Sequence, residues 1–310
     1  MSDNPSSKQD WQSGDSGMDG GIDSGASSWQ SPRPAAAPPS AGGFGVPTIP
    51  PIERLHTAYQ RRHETDYIAN FWSALGWGAL TVGFFTLYMY FQLIRRMRDH
   101  NARRLELLDA ANAYAWEVAA RRGLQEELRP HFQRTAGELN SLRLLGTKLK
   151  NPGIWLAIFI AAFWFSSARL KPTPFISYFL PGLGIMWGMI VVFIVYCGLD
   201  GDLIKHDLAE GGVEAELANI YTRLGQSLPQ PDPARIKGKH NYVARIIVSI
   251  VTVGIYVIWW TYNIMKEPNR HFEINWAWED SLADAAQALA GGAGGPGQQG
   301  TGGDRTAVGG

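Results

Sequence analysis

Two apolar segments of this sequence, residues 67–94 and 242–265, most constrain what the chain can form. The first contains 28 consecutive residues without a charged side chain. A helix of that length can cross the hydrocarbon core of a bilayer, which is roughly 30 Å thick. Thr-Val-Gly lies in both segments, at 81–83 and at 252–254. The segments therefore predict two membrane helices that belong to a repeated unit.

The repeat extends beyond the apolar residues, in one register and without a gap. Four pairs of residues recur at the same separation: Asn70 with Asn241, Thr81 with Thr252, Gly83 with Gly254, and His100 with His271. Apolar composition alone would not align these residue types, so the pattern indicates a duplication. For the threonines and glycines we expect a structural role, because Thr can bond its own helix backbone and Gly lets a neighbouring helix approach. The two histidines are predicted to lie just outside the membrane, and a ligand-dependent or pH-dependent role for them is a hypothesis based on the pairing.

The second copy resembles a known family. Its sequence Thr-x-Gly-Ile-Tyr-x-x-x-Trp at 252–260 is similar to the core of a small bacterial integral-membrane family of unknown function. The resemblance covers residues 70–110 and 241–280, and the first copy departs from it because Phe84 and Phe85 replace Ile-Tyr. It implies a membrane fold and gives no activity.

Two more uncharged segments predict further membrane spans, at 152–168 and 175–199. The first is near the lower length limit for a span, so a re-entrant or interfacial helix is the alternative. Basic residues concentrate in 95–151 and 200–240, which the positive-inside rule places in the cytoplasm. Four spans would put both tails outside and the two repeats in opposite orientations, as in many transporters. The other arrangement has both tails inside and a second segment that does not cross.

The remaining segments are polar. The spacing of apolar residues in 95–151 predicts an amphipathic helical hairpin, interrupted near Gly123 and Pro130. Its apolar face would pack internally or form a coiled-coil contact. The predicted divisions are a disordered tail, 1–51; the first repeat with the basic helices, 52–151; spans two and three, 152–199; a polar loop, 200–240; the second repeat with an interfacial helix, 241–289; and a disordered Gly-rich tail, 290–310.

No motif in the sequence indicates catalysis, a cofactor or a metal. One polar cluster has neither the spacing of a calcium loop nor that of a zinc helix, and we interpret it as a solvated helix start: Asp200, Asp202, His206, Asp207 and Glu210. The single cysteine, Cys197, excludes a site built from several cysteines. Basic and acidic residues balance at 28 each, which gives no indication of nucleic acid as a partner.

The sequence therefore predicts an all-α, multi-pass protein of the bacterial cell membrane that is not an enzyme. The first functional hypothesis is a structural or scaffolding role at the cytoplasmic face. There the basic helices of 95–150 would bind anionic lipid or a protein partner, and a homo-oligomer could form. The alternative is a passive channel or transporter-like subunit built on an inverted repeat.

Overall fold

A computed structural model describes residues 49–167, 174–231 and 240–291. These residues form nine α-helices: α1 (Pro51–Gln60), α2 (Arg62–Thr65), α3 (Phe71–Leu80), α4 (Phe84–Arg122), α5 (Gln125–Lys148), α6 (Pro152–Ser167), α7 (Pro174–Arg223), α8 (Tyr242–Val251) and α9 (Ile255–Gly291). No strand occurs within these ranges, which confirms the all-α prediction. The tails predicted to be disordered lie almost entirely outside the described residues.

The helices enclose two apolar cores that share α4, α7 and α9. One core joins the C-terminal parts of these three helices to α1 and α5, and includes Leu107, Leu128 and Leu217. We call this part the helical domain. The other core joins their N-terminal parts to α3, α6 and α8, and includes Leu93 and Trp260. We call this part the apolar half, because most of the exposed large apolar side chains belong to it.

The amphipathic segment 95–151 folds as α4 and α5, which pack against each other. α4 ends at Gly123, whose left-handed backbone (φ 71°) is the usual helix terminator. Pro130 lies inside α5 and does not end it. Leu128 and Leu142 are fully buried, so the apolar face of α5 packs inside the molecule.

Each repeated apolar segment contains a helix break instead of one continuous helix. Val82 and Gly83 have φ angles of 50° and 90°, and their repeat partners Val253 and Gly254 have 49° and 88°. Two consecutive residues with left-handed backbones end a right-handed helix. The prediction of a continuous helix through 67–94 and through 242–265 is therefore wrong.

The chain reverses direction at the first break. Residues from the start of α3, Asn70 and Ser73, line the same small cavity as Tyr88 and Gln92 of α4. The rings of Trp77 and Phe85, on either side of the turn, have centroids 6.4 Å apart. α3 and the start of α4 therefore form a hairpin, and α8 with the start of α9 forms the second. We call these two units the repeat hairpins.

The recurring polar residues form the same hydrogen bonds in both repeat hairpins. Asn70 Oδ1 accepts from the N–H of Ser73 (2.9 Å), and Asn241 Oδ1 accepts from that of Ala244 (3.0 Å), so both asparagines cap a helix N-terminus. Thr81 Oγ1 donates to the Trp77 carbonyl (2.7 Å) and accepts from the N–H of Phe85 (2.9 Å). Thr252 does the same with Val248 (2.8 Å) and Tyr256 (3.1 Å). The duplicated sequence thus encodes a duplicated turn.

In the described part of the chain, one helix is long and apolar enough to cross a membrane. It covers Gly182–Arg223, within α7. α6 packs along α7, and Lys150, just before α6, donates to Asp202 (2.9 Å). Because the other end of α6 is joined to the start of α7 by residues 168–173, the two helices are antiparallel.

Candidate functional site

Buried polar side chains fill the junction between the apolar half and the helical domain. Each of the three long helices contributes one histidine: His100 from α4, His206 from α7 and His271 from α9. Their exposed fractions are 0%, 0% and 4%. Glu210, one turn after His206, is also fully buried. Because they are one helical turn apart, His206 and Glu210 lie on the same face of α7.

These four side chains converge on one point. The Nε2 atoms of His100 and His271 are 3.2 Å apart. Glu210 Oε2 is 3.5 Å from Nε2 of His206 and 3.5 Å from Nε2 of His271. One nitrogen or oxygen atom from each residue lies within 4.8 Å of the others. The arrangement offers three nitrogens and one carboxylate oxygen, which are ligand types for transition-metal ions.

The opposite ring nitrogen of each histidine faces an oxygen atom. His100 Nδ1 is 2.9 Å from Asp66 Oδ1, and His206 Nδ1 is 3.0 Å from Asn101 Oδ1. His271 Nδ1 is 2.6 Å from Asp207 Oδ1. Because the oxygens of Asp66 and Asn101 accept hydrogen bonds, the ring protons of His100 and His206 belong on Nδ1. The lone pairs on Nε2 then point toward the common centre.

A loop before α3 supplies Asp66, and α9 holds that loop in place. Asn269 forms two hydrogen bonds with the backbone of Ala69: its Oδ1 accepts from the Ala69 N–H (3.1 Å), and its Nδ2 donates to the Ala69 carbonyl (2.8 Å). Trp276 Nε1 donates to Asp66 Oδ2 (2.8 Å). The orientation of His100 thus depends on contacts that join the first repeat to the second.

Two buried arginines surround the centre on the side of the helical domain. Arg104 donates to Glu210, to Glu214 (2.6 Å) and to Glu279 (2.9 Å). Arg103 donates to Asp66 (2.7 Å) and to Glu279 (2.8 and 3.0 Å). With Asp207, the junction holds five carboxyl groups and these two guanidinium groups. Buried carboxylates need compensating charge, and the arginines supply only part of it.

Burial sets the protonation of two of the histidines. It lowers the pKa of His100, although Asp66 opposes the shift, and it lowers the pKa of His206 well below its usual value. Both rings are therefore neutral near pH 7. Burial also acts to lower the pKa of Arg104, but the carboxylates of Glu210 and Glu279 outweigh it and raise that pKa. The neutral imidazole is the form that can bind a metal.

Asn275 completes the inner surface of the junction. Its Nδ2 lies 3.0 Å from His271 Nε2 and 2.9 and 3.1 Å from the two carboxylate oxygens of Glu210. An amide has two N–H groups, so it cannot satisfy these three acceptors fully. Nε2 of His206 has no hydrogen-bond partner among the described residues.

The structure brings together His100 and His271, which the repeat pairs in the sequence. Both are buried at the junction, and their position relative to a membrane stays a prediction. The interpretation of residues 200–210 as a solvated helix start is wrong, because α7 continues through them without a break and buries Asp200, His206 and Glu210. Asp202, which pairs with Lys150, is the one member of that cluster that is only partly buried, with 16% of its side chain exposed.

The sequence contains a pattern that could have identified the site residues of α7 and α9. Polar residues recur at spacing four on α7, as His206, Glu210 and Glu214, and on α9, as His271, Asn275 and Glu279. Such spacing gives one continuous polar face on a helix.

Comparison with protein families, with functionally characterised proteins and with solved structures finds no match to this chain. The resemblance to a bacterial membrane family therefore stays a prediction, and the chemistry of the junction rests on its own geometry.

Proposed function

We propose that the chain is a structural membrane protein that enters one leaflet through its two repeat hairpins and holds its helical domain against the membrane surface. The observation that carries this proposal is the pair of matching turns with exposed apolar tips. Val82 is 84% exposed and Val253 is 91% exposed. Apolar side chains of this size, exposed at the tip of a hairpin, favour contact with lipid.

The length of the repeat hairpins fits half of a bilayer. α3 and α8 have ten residues each. At 1.5 Å per residue each helix is about 15 Å long, half of a hydrocarbon core of roughly 30 Å. Aromatic side chains are exposed along the same hairpins, including Trp72, Trp77 and Trp259.

The backbone of the turns is suited to a lipid environment. In hydrocarbon every N–H and C=O needs an internal partner. Within the first turn, the N–H of Val82 donates to Ala79 (3.2 Å), that of Gly83 to Gly78 (2.8 Å) and that of Phe84 to Thr81 (3.1 Å). The second turn repeats these bonds with Val253, Gly254 and Ile255. Neither turn requires water to satisfy these donors.

The topology that follows has two crossing helices, α6 and the first part of α7, and two half-length hairpins. Both repeat hairpins enter and leave on the side of the helical domain, since His100 and His271 meet there. The two repeats then have the same orientation, and the channel alternative loses the inverted repeat on which it was based. The described chain also begins, in α1, and ends, in α9, on that same side. The basic residues of 95–151 make this side cytoplasmic.

The scaffolding role rests on the surface of the helical domain. Arg129 and Arg143 of α5 are 49% and 57% exposed, and they belong to the basic segment for which anionic lipid or a protein is the expected partner. A second copy of the chain is a further candidate partner. We infer an interaction role and no catalysis.

Depth measurements test the proposal. A cysteine at Val82 or at Val253, in a Cys197→Ser background, would carry an environment-sensitive fluorophore in liposomes that contain lipids brominated at different depths. We expect quenching to be strongest with bromine near the acyl-chain ends. A matched control at Ser141 of α5, which is exposed, should be unquenched. Water-like emission from both tips would overturn the proposal.

A lipid-retention assay tests the interaction role. The chain purified from membranes should retain anionic lipid, detected by mass spectrometry, and the double variant Arg129→Glu with Arg143→Glu should retain less as salt is raised. Equal retention by both proteins at every salt concentration would remove anionic lipid as the partner of this surface.

A further inference from the structure

We propose that His100, His206, His271 and Glu210 bind one divalent transition-metal ion, and that the ion is zinc. This site links α4, α7 and α9, the three helices that run through both halves of the molecule. It is independent of the membrane topology proposed above, because it depends only on side chains at the buried junction.

The distances fit a four-coordinate ion. Bonds of about 2.0–2.1 Å in a tetrahedral site place neighbouring ligand atoms about 3.3 Å apart. The separations at the junction are 3.2 Å between the Nε2 atoms of His100 and His271, and 3.5 Å from Glu210 Oε2 to Nε2 of His206 and of His271. The remaining pairs of ligand atoms lie within 4.8 Å, so the side chains that are farthest apart must approach each other by up to about 1.5 Å to surround an ion.

The surroundings of the histidines match those of metal ligands. Metal-binding histidines usually give their second ring N–H to a carboxylate or carbonyl oxygen, which fixes the ring and its tautomer. His100 and His206 follow this pattern, with Asp66 Oδ1 and Asn101 Oδ1 as the acceptors that face Nδ1, and Nδ1 of His271 lies 2.6 Å from the carboxylate oxygen Oδ1 of Asp207. The convergence of three such histidines on one point sets this junction apart from an isolated buried histidine.

A bound cation would also stabilise the ligand atoms and the carboxylate charges of the junction. The Nε2 atoms of His100 and His271 face each other at 3.2 Å beside the Glu210 carboxylate, and Nε2 of His206 has no hydrogen-bond partner among the described residues. Asn275 offers its two N–H groups to part of this set. A dication at the centre would satisfy all four ligand atoms and offset the excess of carboxyl groups over arginines.

The ligand set favours zinc over magnesium or calcium. Those two ions prefer oxygen ligands, whereas three imidazoles and one carboxylate suit zinc and its neighbours in the first transition row. Four protein ligands leave no open position, which is typical of structural zinc sites. The expected contribution of the ion is therefore to fix the packing of the three helices.

Metal content is the direct test. The full chain would be purified in detergent, stripped with a chelator, reloaded with zinc and analysed by mass spectrometry of the metal. We expect about one zinc per chain, and its loss in His206→Ala. The matched control is His131→Ala, a histidine of α5 that pairs with Glu216 (2.8 Å) away from the junction, and this variant should keep the ion.

Ligand-dependent stability provides a second readout in case His206→Ala folds poorly. Zinc should raise the Tm of the stripped wild-type chain, because a ligand that binds only the folded state stabilises it. Asp207→Asn keeps all four ligands and should weaken zinc binding by about 10–100-fold. Cobalt bound in place of zinc should show the visible absorption of a tetrahedral site.

Two results would overturn the metal site. One is a wild-type chain that binds no zinc or cobalt after loading and whose Tm neither ion changes. The other is equal metal loss in His206→Ala and His131→Ala. Neither result depends on how deep the repeat hairpins lie in a membrane, so failure of this proposal is distinguishable from failure of the proposed function.

Discussion

At the scale of single residues, the buried ion pairs of Arg104 give a prediction about stability. It is fully buried and contacts Glu210, Glu214 and Glu279. Removing one partner of a buried ion pair leaves uncompensated charge, which costs about 3–5 kcal/mol. We expect Arg104→Met to lower the free energy of unfolding by about that amount, measured by denaturation in mixed micelles. Arg143→Met, at an exposed arginine, should change it by less than about 0.5 kcal/mol. Equal effects would contradict the network.

Glu216 gives a pH-dependent prediction away from the junction. Burial acts to raise its pKa, but hydrogen bonds from Arg134 Nε (2.6 Å) and with His131 Nδ1 (2.8 Å) lower it below the usual value. The stability that this carboxylate contributes is thus fully present above its unfolded pKa of about 4.3, and is lost as the pH falls through the lower folded pKa.

We therefore expect Glu216→Gln to be less stable than the wild type at neutral pH, by less than about 1 kcal/mol because Arg134 is half exposed. The difference should shrink in acid. Urea denaturation of both proteins across this pH range would measure it, and a difference that grows below pH 4 would contradict the assignment.

At the scale of elements, the repeated turn depends on one glycine in each hairpin. Gly83 has φ 90°, a backbone conformation that an L side chain adopts at a cost of about 1–2 kcal/mol. Gly83→Ala and Gly254→Ala should each reduce stability by about this amount, measured as Tm in detergent. Gly76→Ala, inside α3 and with open space for the added Cβ, is the matched control and should be neutral or stabilising. If Gly76→Ala costs as much as Gly83→Ala, the turn conformation is not the cause.

A second element-scale prediction concerns the proline inside α9. Pro268 has no N–H for the carbonyl of Ile264, four residues earlier. Arg96 replaces that donor, since its Nη2 lies 2.8 Å from the Ile264 carbonyl and 3.3 Å from that of Met265. We expect Arg96→Met to cost about 1–3 kcal/mol through unsatisfied buried carbonyls.

Pro268→Ala should recover part of that loss, because alanine restores an N–H for Ile264. A double-mutant cycle on the free energy of unfolding would show the coupling. Strict additivity of the two changes would mean that Arg96 and Pro268 do not share this carbonyl.

The duplication, the amphipathic helices and the all-α class could be predicted from periodicity and residue pairing. The break within each apolar segment could not, because an uncharged run looks the same whether its helix continues or turns back. Thr81 and Gly83 mark the position of the turn in the sequence. The turn also requires a left-handed conformation at Val82, a β-branched residue that rarely adopts it.

The same limit applies to the candidate site. The pairing of His100 with His271 was visible in the sequence, whereas His206 and Glu210 join them only through the packing of α7 against α4 and α9. A histidine and a glutamate four residues apart also occur on many solvated helices. Burial by distant segments, which no local pattern encodes, distinguishes the two cases.

At the scale of the whole molecule, α4, α7 and α9 connect an apolar half to a helical domain, and the polar junction lies where they pass from one to the other. In the proposed topology, two half-length hairpins and one crossing pair leave the helical domain on a single side of the membrane. Both repeats then have the same orientation.

Cysteine accessibility in intact cells measures the orientation of the two repeats. In a Cys197→Ser background, single cysteines would be placed at four exposed positions, in α1, in α5, after α7 and in α9, and at one position between α6 and α7: Gln60, Ser141, Ser227, Gln287 and Lys171. Each would be probed with a membrane-impermeant thiol reagent, before and after permeabilisation.

We expect labelling at position 171 alone in intact cells, and labelling at all five positions after permeabilisation. Labelling of intact cells at positions 60 and 287, with protection at 141 and 227, would contradict it. That result would mean that each repeat crosses the membrane and that the two repeats are inverted.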